Sequence, residues 1–186
     1  MIHYYDTLGE NWFSYAQFYH DIIEKLPKRA KVAEIGCWKG RSTACLGVEI
    51  INSGKKIDLY AIDSWKYFEG TEQPVSSQEK FDLIYKEFKN NMQPLGSIVK
   101  IIRSTSIKAS MSIPNNFFDF IFIDANHTYD SVKEDIYLWE PKLKPGGIIA
   151  GHDYFTSVHP GVKRAVDEVY PDAMKISEQN VWYIKK

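Results

Sequence analysis

Apolar positions along the chain switch repeatedly between a helical and a strand-like spacing. From Trp12 to Leu26 they recur every three or four residues (Trp12, Tyr15, Ala16, Tyr19, Ile22, Ile23, Leu26), which predicts one helix face that Pro27 stops. KVAEIG (31–36) predicts a short buried strand, Arg41 to Ile51 a helix closed by Asn-Ser-Gly (52–54), and IDLYAID (57–63) a second strand. A polar, turn-rich stretch (64–77) follows, long enough to serve as a lid or binding loop. Phe81, Ile84, Tyr85, Phe88 and Met92 mark another helix face, SIVKIIR (97–103) a third strand and STSIKASMSI (104–113) a short helix. FFDFIFID (117–124) predicts the most hydrophobic strand, and Tyr129, Val132, Ile136 and Trp139 the helix after it. KPGG (144–147) predicts a tight turn into a fifth strand, IIAGHD (148–153). Pro160-Gly161 opens a helix buried through Val162, Ala165, Val166 and Val169, and AMKIS, EQN and VWYIKK suit a closing hairpin.

Five strands alternating with helices imply an α/β, Rossmann-like doubly wound sheet, because parallel neighbours need helical crossovers. Ligands of such sheets sit outside the carboxyl ends of the strands. The residues to watch are therefore Glu34 to Gly40, Asp63, Arg103 to Ser106, Asp124 to His127, and His152-Asp153; polar residues or glycines stand at all five rims. The 186 residues suit one domain (1–186), with a helical extension over 1–27 and the ligand-binding core over 28–186.

A formal net charge of -1 offers no basic field for a polyanion, so nucleic acid is not the expected partner. The two cysteines, Cys37 and Cys45, show neither metal-type clustering nor a disulfide framework and read as reduced packing residues. MIHYYDTLGENWF lacks the pattern of a signal peptide, and no apolar run approaches the roughly 18–20 residues that span a bilayer. The expected setting is the cytoplasm, with no membrane partner.

Between the first strand and the next helix, Gly36 and Gly40 allow a sharp turn and a close approach of backbone to ligand. Ser42 or Thr43 suits a cap of the helix, whose free N–H groups favour a carboxylate. The spacing is G-x-x-x-G, neither the dinucleotide G-x-G-x-x-G nor a P-loop, and a purely structural turn is the alternative. Asp63 suits a ribose diol, accepting both hydrogen bonds, or a cap of its own turn. Trp65 suits an adenine face or the core.

The order EIGCWKGRS, LYAIDSW, FFDFIFIDANHTYDSV, LKPGGIIAGHDY and HPGVKRAVDEV resembles class I S-adenosylmethionine-dependent methyltransferases. More narrowly it is similar to the group of macrocin-type sugar O-methyltransferases and the cephalosporin-biosynthesis enzyme of the same fold. That resemblance, from about Lys31 onward, implies a seven-stranded sheet ordered 3-2-1-4-5-7-6 with one antiparallel hairpin strand. It implies that Glu34, Gly36, Cys37, Gly40 and Ser42 surround the methionine part of the cofactor and that Asp63 binds the ribose. Ser64 or Trp65, with Ser104 and Thr105, would border the adenine, although RSTS departs from the glycine-containing version common after the third strand.

Asp124, His152 and Asp153 end neighbouring strands in that order and converge beside the methyl group, where two carboxylates and an imidazole suit Mg²⁺ or another divalent ion. Relatives carry acids at these strand ends; His-Asp here makes Asp124 and Asp153 the expected ligands, with His152 behind them or turned away. The alternatives are that Asp124 caps the helix near Thr128 and Asp153 the following turn. His127, three residues past Asp124, is the first candidate base and His152 the second. The expected activity is methyl transfer to a small-molecule hydroxyl, on a sugar or natural-product-like acceptor, with a homo-oligomer left open. The competing readings are a nicotinamide-dependent oxidoreductase and a non-catalytic nucleoside-ligand-binding module.

Overall fold

A computed structural model of the chain describes residues 1–69, 75–171 and 174–186. The apolar runs become five parallel strands: β1 (Lys31–Ile35), β2 (Asp58–Asp63), β3 (Val99–Arg103), β4 (Phe118–Ile123) and β5 (Leu143–Gly151). β6 (Lys175–Ile176) and β7 (Trp182–Lys185) form the hairpin, with β7 antiparallel to both β5 and β6. The order is β3-β2-β1-β4-β5-β7-β6, as the resemblance implied.

Helices cover both faces: α1 (Ala16–Lys25), α2 (Arg41–Asn52), α3 (Gln78–Met92), α4 (Ser106–Ser112), α5 (Tyr129–Trp139) and α6 (Pro160–Val169). Alternation along β4 divides the core between them. Ile121 and Ile123 meet Val132, Ile136 and Trp139 of α5 and Val162 and Val166 of α6. Phe120 and Phe122 point the other way, onto Phe18, Tyr19 and Ile22 of α1 and Leu46 of α2. Each such ring, fully buried, contributes about 1.5–3 kcal/mol. Among the described residues no helix is long and apolar enough to cross a membrane.

Three boundaries differ from the expectation, each for an identifiable reason. α1 starts at Ala16, not Trp12, because tertiary contacts hold the preceding residues: Tyr15 stacks on Phe122 at 4.7 Å, while Trp12 stays 62% exposed. The third strand starts at Val99, since Pro94 and a left-handed Gly96 shape a 3-10 segment over Gln93–Ile98. KPGG is not a separate turn; it lies inside β5, where Gly146 at φ 79° accompanies a register shift against β4. Within the 64–77 loop, residues 70–74 lie outside the described residues, and so does Ala173 of AMKIS.

One buried acid ties α1 and α2 to the sheet. Glu34 of β1 is wholly enclosed; Tyr19 Oη of α1 donates to its Oε1 at 2.8 Å and Thr43 Oγ1 of α2 donates to its Oε2. Burial lifts its carboxyl to about 7 against the pull of those hydroxyls. The native state therefore keeps the proton that the unfolded chain releases above about 4.3. The associated stability is complete below that value and is lost as pH rises to about 7, a change on the order of 3 kcal/mol. Glu34→Gln should remove this dependence, which urea unfolding of both proteins from pH 4 to 8 would show; equal pH slopes would refute it.

Candidate active site

The carboxyl ends of β1, β4 and β5 meet at one rim. Ile123 pairs with Gly151, so Asp124 and His152 leave adjacent strands side by side. Gly36 sits at φ 88°, and a Cβ there would lie 2.1 Å from the Asp124 carbonyl oxygen. This glycine is required by the passing β4 backbone, a reason independent of any ligand. Gly40, at φ 89°, is the N-cap residue of α2. No side chain caps that helix: Thr43 is turned to Glu34, so the expected Ser42 or Thr43 cap is absent.

Asp63 is committed to the turn between β1 and α2. Its Oδ2 accepts from the Cys37 and Trp38 amides at 2.9 and 3.0 Å, and its Oδ1 from the Trp65 amide at 2.8 Å. Burial raises its carboxyl, and these amides oppose the rise. A carboxylate offers about four acceptor positions, so roughly one remains for a ribose hydroxyl where two were expected.

The side chains of three predicted contacts are buried. Trp65 is fully buried, its Nε1 donating to the Trp38 carbonyl and its ring against Tyr85 and Phe88. That is the core alternative, selected because α3 covers the residue. Cys37 is also buried, which pushes its thiol far up, and Glu34 faces α1 and α2. Ser64, Ser104 and Thr105, by contrast, line a groove of about 380 Å³ whose rim carries Lys66, Arg103 and Lys108. A wider depression of about 780 Å³ flanks α6, between Phe155 and Arg164, and contains none of the predicted site residues.

His127 bridges the two rim aspartates. Its Nε2 stands 3.2 Å from Asp124 Oδ1 and 3.2 Å from Asp153 Oδ2. Burial alone would lower the imidazole, but the two carboxylates carry it up to about 9. Asp153, despite burial, is held well below the usual carboxylate range by His127 and His152. Neither acid plays its alternative part: Thr128 caps α5 with its own hydroxyl, and Asp153, at φ 62°, aims into the histidines. His152 Nδ1 lies 3.3 Å from Asp153 Oδ1 and its Nε2 lies 3.3 Å from Ser14 Oγ.

Three rim residues were missed by sequence reasoning. Tyr15 donates to Asp124 Oδ2 at 2.9 Å and its ring lies 4.7 Å from that of His152. Ser14 contacts His152, and His159 stacks on His127 with centroids 4.1 Å apart. Tyr15 was absorbed into a helix face. His159 stood beside a recognisable signal, the Pro160-Gly161 helix start, and Gly161 packs so tightly that a Cβ would meet the His127 carbonyl oxygen at 2.7 Å.

Comparison with known proteins identifies the family. A family model described as "Methyltransferase domain" matches residues 33–154. A curated protein, "Uncharacterized protein y4gI" of Sinorhizobium fredii (strain NBRC 101917 / NGR234), is 25% identical over 151 residues, which are 81% of this chain and 16% of that protein. The chain thus spans about a sixth of that relative's length. Among solved structures, the O-methyltransferase NovP superposes with a TM-score of 0.68 at 16% identity, covering 93% of this chain and 79% of that one. Cofactor-bound Rv0187 from MTB gives 0.67 at 14% identity, covering 97% and 85%. The O-methyltransferase from Bacillus cereus in complex with SAH gives 0.61 at 17% identity, covering 92% and 80%. With the family model spanning β1 to the end of the β5 rim, and with the seven-stranded order of the sheet, the chain belongs to the methyltransferase-domain family, on the class I fold.

Proposed function

We propose that this domain transfers a methyl group from S-adenosylmethionine to a hydroxyl of a small-molecule acceptor. The observation that carries the reading is the Asp124–His127–Asp153 cluster, standing across the β1 rim from the glycine turn and Asp63. The solved relatives whose titles read O-methyltransferase, one of them in complex with SAH, support it. S-adenosylmethionine supplies the methyl on a sulfonium. Transfer of that methyl would require an acceptor oxygen held facing it and a base to receive the acceptor's proton.

The chain's own residues divide the work. The open α2 N-terminus and the Gly36 turn receive the methionine carboxylate, the remaining acceptor position of Asp63 takes one ribose hydroxyl, and the Ser64–Ser104–Thr105 groove borders the adenine. His127 is the base, once it has given up the proton that the two aspartates hold on it. His152 has both ring nitrogens engaged and orients the rim instead. The donor set also fits a divalent ion: Asp124, His152 and Asp153 each offer a ligand atom within 4.8 Å of the others. Such an ion would lower the pKa of the acceptor hydroxyl.

Calorimetric titration with S-adenosylhomocysteine tests the reading; micromolar binding is expected, and no binding would overturn it. Asp63→Ala should weaken that binding by about 1–3 kcal/mol and also lower the melting temperature, since three backbone amides lose their acceptor. A 2′,3′-dideoxy analogue separates the two roles: it should bind less well than S-adenosylhomocysteine to the parent protein and equally to Asp63→Ala. Equal penalties in both proteins would remove the ribose from Asp63.

With a chelator present, methyl transfer should rise with pH up to about 9, where His127 loses its proton. His127→Ala should slow transfer about 10²–10⁴-fold and abolish that rise while leaving S-adenosylhomocysteine affinity intact. A flat profile between pH 7 and 9, or normal turnover in the variant, would assign the proton elsewhere.

A further inference from the structure

We propose that the depression flanking α6 is a ligand subsite, separate from the cofactor groove, for a flat ring that carries an oxyanion, a phosphate or a carboxylate. It holds about 780 Å³ and is lined by Phe155 from the loop after β5 and by Arg164, Asp167 and Glu168 from α6. Both ends of that loop continue into the rim: Tyr154 follows Asp153, and Pro160 follows His159, whose ring stacks on that of His127. An acceptor whose hydroxyl stands at the rim has room here for its remainder. In that role the inference rests on the methyl-transfer reading and names what the acceptor carries besides its hydroxyl.

The preference for an anion follows from how the polar side chains pair. On one side of α6, Asp167 accepts from Tyr154 Oη and from Lys163, whose Nζ also donates to Tyr154 Oη at 3.1 Å. On the other, Glu168 accepts from Tyr129 Oη and from Lys133 Nζ, the latter at 2.7 Å. Each acid thus has its own tyrosine and lysine. Arg164 is the cation left over, forming no ion pair among the described residues. Its guanidinium lies 4.2 Å from the centre of the Tyr129 ring, and Glu168 and Lys133 fix that ring through its hydroxyl. A guanidinium stacked in this way still offers a planar fork of donors that matches a carboxylate or phosphate. Phe155 supplies the surface for a ring. It is 64% exposed, although its amide donates to Asn180 Oδ1 and its ring stands edge-on to Tyr154 at 4.7 Å. A side chain fixed beforehand loses little freedom when a ligand stacks on it.

Calorimetric titration with 1-naphthyl phosphate, compared with 1-naphthol and inorganic phosphate, tests the site. The complete probe should bind about tenfold more tightly than either half, as one charge-assisted contact and one ring contact together imply. Titration with 1-naphthoate separates a phosphate preference from a carboxylate one. Arg164→Gln, at an exposed position, should weaken 1-naphthyl phosphate about tenfold and remove its advantage over 1-naphthol. Phe155→Ala should weaken it about threefold and remove its advantage over inorganic phosphate. Saturating S-adenosylhomocysteine should leave the probe bound. Equal affinities for 1-naphthol and both naphthyl oxyanions, an unchanged affinity in Arg164→Gln, or displacement of the probe by S-adenosylhomocysteine would each overturn the assignment. Binding of S-adenosylhomocysteine without binding of either naphthyl oxyanion rejects this inference alone. Failure to bind S-adenosylhomocysteine rejects the methyl-transfer reading beneath it, and the acceptor role of the depression with it.

Discussion

The site depends on a steric constraint at the point where β4 leaves the sheet. A Cβ on Gly36, at the end of β1, would overlap the Asp124 carbonyl, and a Cβ on Gly151, ending β5, would lie 2.6 Å from the Ile123 carbonyl. The β4 exit thus passes between two neighbours that have no side chain to offer. Any larger residue at either position would force the backbone apart and carry Asp124 away from His152 and Asp153. Close packing of three strand ends, more than any single hydrogen bond, is what brings the acids and histidines together.

Around that point the protein sets the strength of its acids in opposite directions. Glu34 is enclosed and Asp63 half-buried, and burial raises both against the pull of the hydrogen bonds each accepts. Asp153 is half-buried, yet two imidazoles hold it well below the usual carboxylate range. The first pair has become part of the scaffold: Glu34 joins α1 and α2 to β1, and Asp63 holds the turn before α2. At the rim, Asp153 keeps its charge beside His127 and His152. Environment, not residue type, decides which carboxylates are structural and which remain available for chemistry.

Much of the fold was legible because its signals are local. Apolar period, the Pro27 stop and the strand–helix alternation led to all six helices and all seven strands of the described chain. The rim was legible too, since parallel topology forces chemistry to the carboxyl ends of the strands. What escaped were contacts whose partners lie far apart. Nothing near Tyr15 shows that it reaches Asp124, 109 residues away, or that Ser14 reaches His152, 138 residues away. Trp65 escaped in the other direction: an aromatic at a strand end suits a ligand face equally well until α3 is seen to cover it.

The segment before α1 carries a consequence for how such a domain diverges. Residues 8–15 belong to no helix or strand, yet they reach both the turn before α2, through Glu10 on Trp38 and Lys39, and the rim, through Ser14 and Tyr15. The sheet makes no backbone hydrogen bond to them that its register requires. Replacement here alters what surrounds the acids while the strand pairing stays as it is. Reactivity and scaffold are thus inherited from separate stretches of chain, and selection can retune one without renegotiating the other.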